Sequence, residues 1–186
     1  MIRIYTQSDE GINRSAGLEE QEARRGDIFW IDLLTPTAEE LKYAEDICAI
    51  EMPTKDEQRE IEATSRLYCE DGGRFMTTSV LSRVETDDPI IAEITFIIKD
   101  RVLVTVRHTD SYSFRVFSHQ LLRTRSTNRD LVFVGLLETI VDRQADVLER
   151  FGMYGILALA MLPGIQCGIG LNMGMTIGCV AGLFGI

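Results

Sequence analysis

Charge is absent from the end of this chain. Residues 151–186 contain no Asp, Glu, Lys, Arg or His, whereas the first 150 residues carry the whole net charge of −10. An uncharged apolar segment after an acidic, well-patterned one predicts two parts. We expect a soluble domain over residues 1–150 and an apolar tail over residues 151–186 that forms a transmembrane segment.

Cysteine and histidine, the side chains that bind zinc and other soft metal ions, are scarce. The chain has four cysteines, none of them in a C-x-x-C pair, and only two histidines, which are isolated from each other: Cys48, Cys69, Cys167, Cys179, His108 and His119. These numbers exclude an ordinary structural zinc site. The thiols are expected to fill core or membrane positions, and the histidines to lie on the surface or in packing contacts.

Catalytic and nucleic-acid-binding signatures are also missing. No G-x-S-x-G elbow and no phosphate-binding loop occurs, and the Gly-Ile-Gly at residues 168–170 lacks the spacing of a dinucleotide site. No set of nucleophile, base and orienting residue can be assembled, so the sequence predicts no enzyme. The acidic composition, with a pI near 4.7, excludes a nucleic-acid partner.

The residues that are present predict an α/β fold. Apolar runs at residues 2–6 and 28–34 indicate strands. Two capping-box pairs, each with Glu three residues after Thr, predict helices that follow Thr37 and Thr54, the second of them polar and on the surface. The N-terminus has no apolar run of the signal-peptide kind, so a cytoplasmic location is expected for this part.

The middle of the chain predicts a meander of antiparallel strands. Turn residues separate four β-rich runs, with Asp-Gly-Gly at residues 71–73 and Lys-Asp-Arg at residues 99–101 as the hairpin signals. The expected strands are residues 66–69, 74–83, 90–98 and 102–107.

Two helices are predicted to follow the strands. The first covers residues 111–125, and the second begins with Asp130 as its N-cap and runs to about Arg150. Five residues of the second helix follow 4, 3, 4, 3 spacing, and all but the glutamine are apolar: Phe133, Leu137, Ile140, Gln144 and Val147. This spacing fits a coiled-coil seam and, equally, a helix that lies on a sheet.

The glycine-rich tail is long enough for one membrane crossing. Residues 164–186 would span about 35 Å as a helix, and the hydrocarbon core is about 30 Å thick. Four glycines recur at intervals of four residues, a spacing that permits close helix packing: Gly170, Gly174, Gly178 and Gly182. The alternatives are a buried or disordered glycine-rich end, or a segment that is not a natural C-terminus.

An acidic loop between two predicted strands is the candidate metal site. Glu85, Asp87 and Asp88 lie within four positions, and carboxylate oxygens with room for water suit Mg²⁺. The alternative is a solvated turn, which is the ordinary role of such clusters.

Several short motifs together resemble one family. Residues 30–33 read Trp-Ile-Asp-Leu, and residues 60–66 read Glu-Ile-Glu-Ala-Thr-Ser-Arg inside the longer segment from Met52 to Tyr68. The apolar runs at residues 94–98 and 103–107, and the helical segment at residues 136–142, follow in the same order. Residues 1–150 resemble the N-terminal cytosolic domain of CorA-type magnesium and cobalt transporters.

The resemblance implies fold, ions and assembly. It implies an α/β/α sandwich with a mainly antiparallel or mixed sheet. It also implies a homopentamer in the inner (plasma) membrane, with residues 1–150 of each copy in the cytoplasm. Mg²⁺, with Co²⁺ or Ni²⁺ as alternatives, is the implied transported and regulatory ion. One regulatory ligand in that family comes from an acidic loop of the head, for which Asp87 or Asp88 is the nearest match.

The chain also departs from the family pattern. The long stalk helix expected after Arg150 is replaced by the apolar tail, and no Gly-Met-Asn pore motif occurs. The tail, from Tyr154 onward, resembles a piece of another inner-membrane protein such as a transporter permease. We therefore expect a truncated or chimeric chain that does not conduct Mg²⁺ alone. The alternatives are a membrane-tethered domain that senses Mg²⁺ or binds transporter heads, and a zinc-exporting relative.

Overall fold

A seven-stranded mixed sheet forms the centre of the fold. The computed structural model describes residues 1–17, 27–58, 66–84 and 88–166. The chain divides into two compact units, Met1–Gln144 and Ala145–Ile186. The sheet lies in the first unit with strand order β2-β1-β3-β7-β6-β5-β4. Its strands are β1 (Ile2–Ser8), β2 (Gly11–Ala16), β3 (Ile28–Leu34), β4 (Leu67–Glu70), β5 (Gly73–Ser82), β6 (Ile90–Lys99) and β7 (Val102–Arg107).

One parallel pair joins two antiparallel halves of this sheet. Strand β3 runs parallel to β7, with Trp30 opposite Leu103, and every other neighbouring pair is antiparallel. The segment from β4 to β7 is the predicted meander, which the register confirms. Strand β2, which pairs with β1, was not predicted, because its sequence Gly-Ile-Asn-Arg-Ser-Ala has only one large apolar residue.

Left-handed turn residues close the two predicted hairpins. Asp71 and Gly72 have φ values of 48° and 75° between β4 and β5, and Asp100 has a φ of 46° between β6 and β7. Two positive φ angles in succession match the right-handed twist of the flanking strands. The turn residues therefore fix the register of both hairpins.

The first two helices begin where their capping boxes predicted. Helix α1 spans Ala38–Cys48, with the Glu40 N–H donating to the Thr37 hydroxyl and the Thr37 N–H donating to the Glu40 carboxylate. Helix α2 spans Lys55–Gln58 and begins in the same way after Thr54. The prediction that this helix lies on the surface is wrong for Gln58, which is 2% exposed.

Two further helices follow β7. Helix α3 spans Tyr112–Leu121 and helix α4 spans Arg129–Gln166. The prediction of Asp130 as N-cap is wrong: the Asn128 side chain accepts from the N–H of Leu131 and therefore caps α4. The same helix continues past Arg150 and ends at Gln166.

Apolar side chains form one cluster on each face of the sheet. On one face Trp30, Phe96 and Phe114 pack with Val132 and Leu136 of α4. On the other face Ile31, Ile97 and Val104 pack with Ala44 and Cys48 of α1. Residues 129–144 thus use their apolar stripe to lie on the sheet, the second of the two alternatives that the spacing allowed. The result is a mixed sheet flanked by helices, as the sequence predicted.

In the second unit, the structure describes the part of α4 that ends at Gln166. No helix among the described residues has both the length and the apolarity that crossing a bilayer requires. The predicted membrane segment, residues 164–186, lies almost entirely outside the described residues.

Candidate functional site

The acidic loop between β5 and β6 is described only at its ends. Asp87 lies outside the described residues, and Asp88 is exposed just before β6. Among the residues that the structure does describe, no three His, Cys, Asp or Glu side chains come close enough to share a metal ion. Since Mg²⁺ is bound through one or two carboxylates with several waters retained, this loop could supply part of a coordination shell. The assignment of Asp87 and Asp88 as ligands stays a prediction.

Arginines line a cavity beside this loop. The cavity has a volume of about 230 Å³, and Arg83, Arg115 and Arg143 lie in its wall together with Asp110. Asp110 accepts a hydrogen bond from Arg115 at 2.8 Å. The guanidinium of Arg143 lies 5.1 Å from the ring centre of Tyr112. The three arginines outnumber Asp110, so the wall of this cavity carries a net positive charge.

A buried ion pair joins the two parallel strands at the centre of the sheet. Arg107, at the end of β7, donates to Asp32 of β3 through Nε at 2.9 Å and through Nη2 at 2.7 Å. Both side chains are at most 1% exposed. Burial by itself lowers the pKa of Arg107, but its hydrogen bonds and its attraction to Asp32 and Asp110 raise that pKa overall. The pair is charged and bidentate, which makes it a rigid link between β3 and β7.

Further hydrogen bonds satisfy the Asp32 carboxylate and connect it to neighbouring side chains. The Thr105 hydroxyl donates to Asp32 at 3.0 Å, and Trp30 Nε1 donates to Thr105 at 3.1 Å. Arg3, on the neighbouring strand, reaches the same carboxylate at 3.3 Å. The network therefore spans three adjacent strands, β1, β3 and β7.

Arg107 also positions the segment that leads into α3. Its Nη1 donates to the carbonyl of Thr109 at 3.2 Å and to Asp110 at 3.4 Å. Its guanidinium lies 4.3 Å from the ring centre of Phe114, within cation–π range. The sequence shows Asp32 within the Trp-Ile-Asp-Leu motif but did not lead us to predict Arg107 as its partner. A lone arginine at the end of an apolar strand, opposite a lone aspartate in another, was the available signal.

A second cavity lies under α2. Its volume is about 330 Å³, and its wall includes Lys55 and Gln58 of α2, Glu93 of β6, and His108 and Thr109 after β7. The sequence predicts His108 on the surface or in a packing contact, and in the structure this side chain is half-buried in the cavity wall. We call this space the α2 cavity.

The fold and its sites define a class of protein. A mixed α/β/α domain with this connectivity matches the complete structure of the CorA magnesium transporter from Methanocaldococcus jannaschii with a TM-score of 0.63, at 17% identity over 88% of this chain and 52% of that one. The cytoplasmic domain of ZntB from Vibrio parahaemolyticus matches with a TM-score of 0.54, at 13% identity over 80% of this chain and 62% of that one. These likenesses show that the chain shares the fold of these two proteins.

Sequence comparison assigns the family. The family described as CorA-like Mg²⁺ transporter protein matches residues 25–152, more than half of the chain. The chain therefore belongs to the CorA-like Mg²⁺ transporter family. The magnesium transport protein CorA of Wolinella succinogenes is 26% identical over 158 residues, which are 81% of this chain and 49% of that protein. The chain spans about half the length of the curated relatives it matches.

Proposed function

We propose that residues 1–150 serve as the cytosolic domain of a divalent-cation transport protein, with Mg²⁺ as the ion. The family match over residues 25–152 carries this proposal, because it includes β3, β7 and the start of α4, the elements that build the sheet and its helical cover. The relatives are magnesium transport proteins, and transport is not an enzymatic role.

We further propose that Asp87 and Asp88 contribute oxygen ligands to a regulatory Mg²⁺ ion. The exposed position of Asp88 supports access by a hydrated cation. Two carboxylates form an incomplete site, so the remaining ligands would be waters and a group of a neighbouring copy in a pentamer. Sites with so few charged ligands bind a divalent cation weakly.

Calorimetric titration of the whole chain with MgCl₂ tests the loop. The double variant Asp87→Asn/Asp88→Asn should lose the binding heat. Its matched control is Asp9→Asn/Glu10→Gln, which removes two adjacent exposed acids from the β1–β2 turn and should bind Mg²⁺ as the parent does. Equal Mg²⁺ binding by both double variants would show that Asp87 and Asp88 are not ligands of the ion.

The 186 residues by themselves are proposed not to conduct Mg²⁺. They contain no Gly-Met-Asn, the pore motif of the family that the sequence resembles. Expression in a cell that lacks its own magnesium uptake should leave the growth requirement for high Mg²⁺ unchanged. Restored uptake by this sequence would refute the proposal, whereas a Mg²⁺-dependent association with full-length heads would favour the alternative of a regulatory domain.

A zinc-exporting role is the second candidate, and the likeness to the ZntB cytoplasmic domain favours it. Titration with ZnCl₂ beside MgCl₂ distinguishes the two. Binding of Zn²⁺ that is unaffected by excess Mg²⁺ would support the zinc candidate, and displacement by Mg²⁺ would support the first.

A further inference from the structure

The solvent-facing side of α4 carries a line of exposed apolar residues. Positions of this helix at 3, 4, 3, 4, 3 spacing form the line, and we call them the outer stripe: Leu131, Val134, Glu138, Val141, Ala145 and Leu148. Its large apolar members are between 49% and 70% exposed. Single exposed apolar residues are ordinary on a protein surface, whereas an aligned set of them marks an interaction site.

The outer stripe is separate from the face by which α4 packs on the sheet. Val132, Leu136 and Ile140 belong to the buried core of that other face. The spacing of the outer stripe is that of the a and d positions of a helical seam, with Leu131 at a and Val134 at d. Such a seam receives the side chains of one more α-helix, so the expected occupant is a helix.

The charges beside the outer stripe restrict which helix can bind. The exposed charged residues of α4 from position 130 to position 149 are all acidic: Asp130, Glu138, Asp142, Asp146 and Glu149. Arg143, the one basic residue of that stretch, is half-buried with its guanidinium 5.1 Å from the ring centre of Tyr112. With the stripe at a and d, Asp142 and Glu149 occupy e positions and Asp130 a g position, which are the positions that select a partner by charge.

Two other occupants are disfavoured by the same charges. A second copy of the stripe would bring acidic e and g positions against acidic ones, and like charges at a seam oppose association. An anionic lipid surface attracts basic segments and repels this acidic one. The remaining match is a helix of opposite charge.

A basic amphipathic helix fits both the apolar and the acidic features. Apolar residues at its own a and d positions would cover the outer stripe, and Lys or Arg beside them would pair with Asp142 and Glu149. Glu138 lies within the stripe, where one opposed Lys or Arg would pair with it and fix the register. We propose that the outer stripe of α4 is a docking surface for a basic amphipathic helix of a partner protein. This inference is independent of the proposed transport role.

Fluorescence anisotropy with labelled synthetic helices tests the surface. The whole chain is titrated, without Mg²⁺, into peptides of about three heptads that have Leu at a and d and either Lys or Glu at e and g. A third peptide keeps the lysines and has Gln at a and d. Only the peptide with both Leu and Lys should bind, because binding needs the apolar seam and the opposite charge together. Added salt should weaken this binding, since exposed charges are screened.

Val141→Lys should weaken binding of the Leu–Lys peptide at least about tenfold, because it places a cation at the centre of the stripe. Ile91→Lys is the matched control, since Ile91 is 69% exposed and its change adds the same charge on β6 instead of α4. It should bind the peptide as the parent chain does. Circular dichroism should show the parent's helix content for both variants, because both positions are exposed.

A charge reversal tests the choice of partner separately from the apolar contact. Asp142→Lys/Glu149→Lys should prefer the Leu–Glu peptide to the Leu–Lys peptide, whereas Asp9→Lys/Glu10→Lys, in the β1–β2 turn, should keep the parent's preference. Three results would overturn the proposal: no binding of the Leu–Lys peptide up to about 1 mM, equal weakening by Val141→Lys and Ile91→Lys, or self-association of the chain that Val141→Lys abolishes. The last result would make a second copy the occupant.

Discussion

Single residues at the centre of the sheet carry the strongest electrostatic interaction of the described chain. Asp32 and Arg107 are both buried, and each is the main partner of the other. Removing one member of such a pair leaves an uncompensated charge in the core, whereas replacing both removes the charge altogether. The pair therefore makes folding sensitive to either residue alone.

Arg107→Met should destabilise the fold by about 3–5 kcal/mol, because it leaves the Asp32 carboxylate buried and unpaired. The double variant Asp32→Asn/Arg107→Met should recover a large part of that loss. Urea unfolding followed by circular dichroism gives both free energies. Arg101→Met, at an exposed hairpin position, is the control and should change the unfolding free energy by less than about 0.5 kcal/mol. Additive effects of the two single changes would contradict the coupling.

Glu40 gives the stability a pH dependence with a defined sign. Burial by itself raises the pKa of this carboxyl, but hydrogen bonds from the chain's amino group and from the N–H of Thr37 and Ile2 lower that pKa below the ordinary value of 4.5. A group with a lowered folded-state pKa stabilises the protein above its unfolded-state pKa. That stabilisation is lost as pH falls through the folded-state pKa.

The free energy of unfolding should therefore fall more steeply in the parent chain than in Glu40→Gln as pH is lowered from about 5 to about 3. Glutamine does not titrate, so the difference between the two curves isolates this one carboxyl. Chemical unfolding at several pH values provides the curves. Parallel curves would show that Glu40 contributes no pH-dependent stability.

At the scale of elements, α4 completes the edge of the sheet. Strand β4 pairs with β5 only from Gly73 to Met76. Farther along β5, the Leu81 N–H donates to Gln144 Oε1 at 3.0 Å, and Gln144 Nε2 donates to the Leu81 carbonyl at 3.1 Å. One glutamine side chain thus satisfies the two backbone groups that a neighbouring strand would otherwise pair.

Gln144→Ala should expose the Leu81 backbone and destabilise the fold by about 1–2 kcal/mol. Hydrogen exchange of the Leu81 amide, measured by NMR, should become faster than in the parent chain. Glu138→Ala changes an exposed residue of the same helix and should leave that exchange rate unaltered. If the Leu81 amide of Gln144→Ala exchanged as slowly as in the parent chain, the Gln144 hydrogen bonds would not stabilise this edge of the sheet.

At the scale of the whole molecule, the charge division at Arg150 predicts two different solubilities. We propose residues 1–150 as the cytosolic domain and residues 151–186 as the membrane segment. Expressed in bacteria, the full chain should sediment with membranes, and residues 1–150 should remain in the supernatant. Gly174→Lys should shift the full chain towards the supernatant, because a lysine at mid-membrane costs about 2.5–3.5 kcal/mol for insertion. Equal sedimentation of all three proteins would contradict the division.

Particular residues show how far sequence reasoning reached. Thr37 and Thr54 placed two helix starts correctly, since capping depends on residues three positions apart. The same reasoning chose Asp130 where Asn128 is the cap, because both are good capping residues and only backbone geometry separates them. Gln58 was assigned to the surface from its polarity, and its burial depends on where α2 packs on β6.

The sequence by itself determined most of the strands and helices, the mixed α/β class and the family, because these follow from periodicity, turn residues and local composition. Only the tertiary structure decided the parallel pairing of β3 with β7, the Asp32–Arg107 pair across it, and the α2 cavity. Each of these brings together residues more than 30 positions apart. A local sequence pattern does not show which distant residues will pair. These residues become neighbours only when the strands assemble into the sheet.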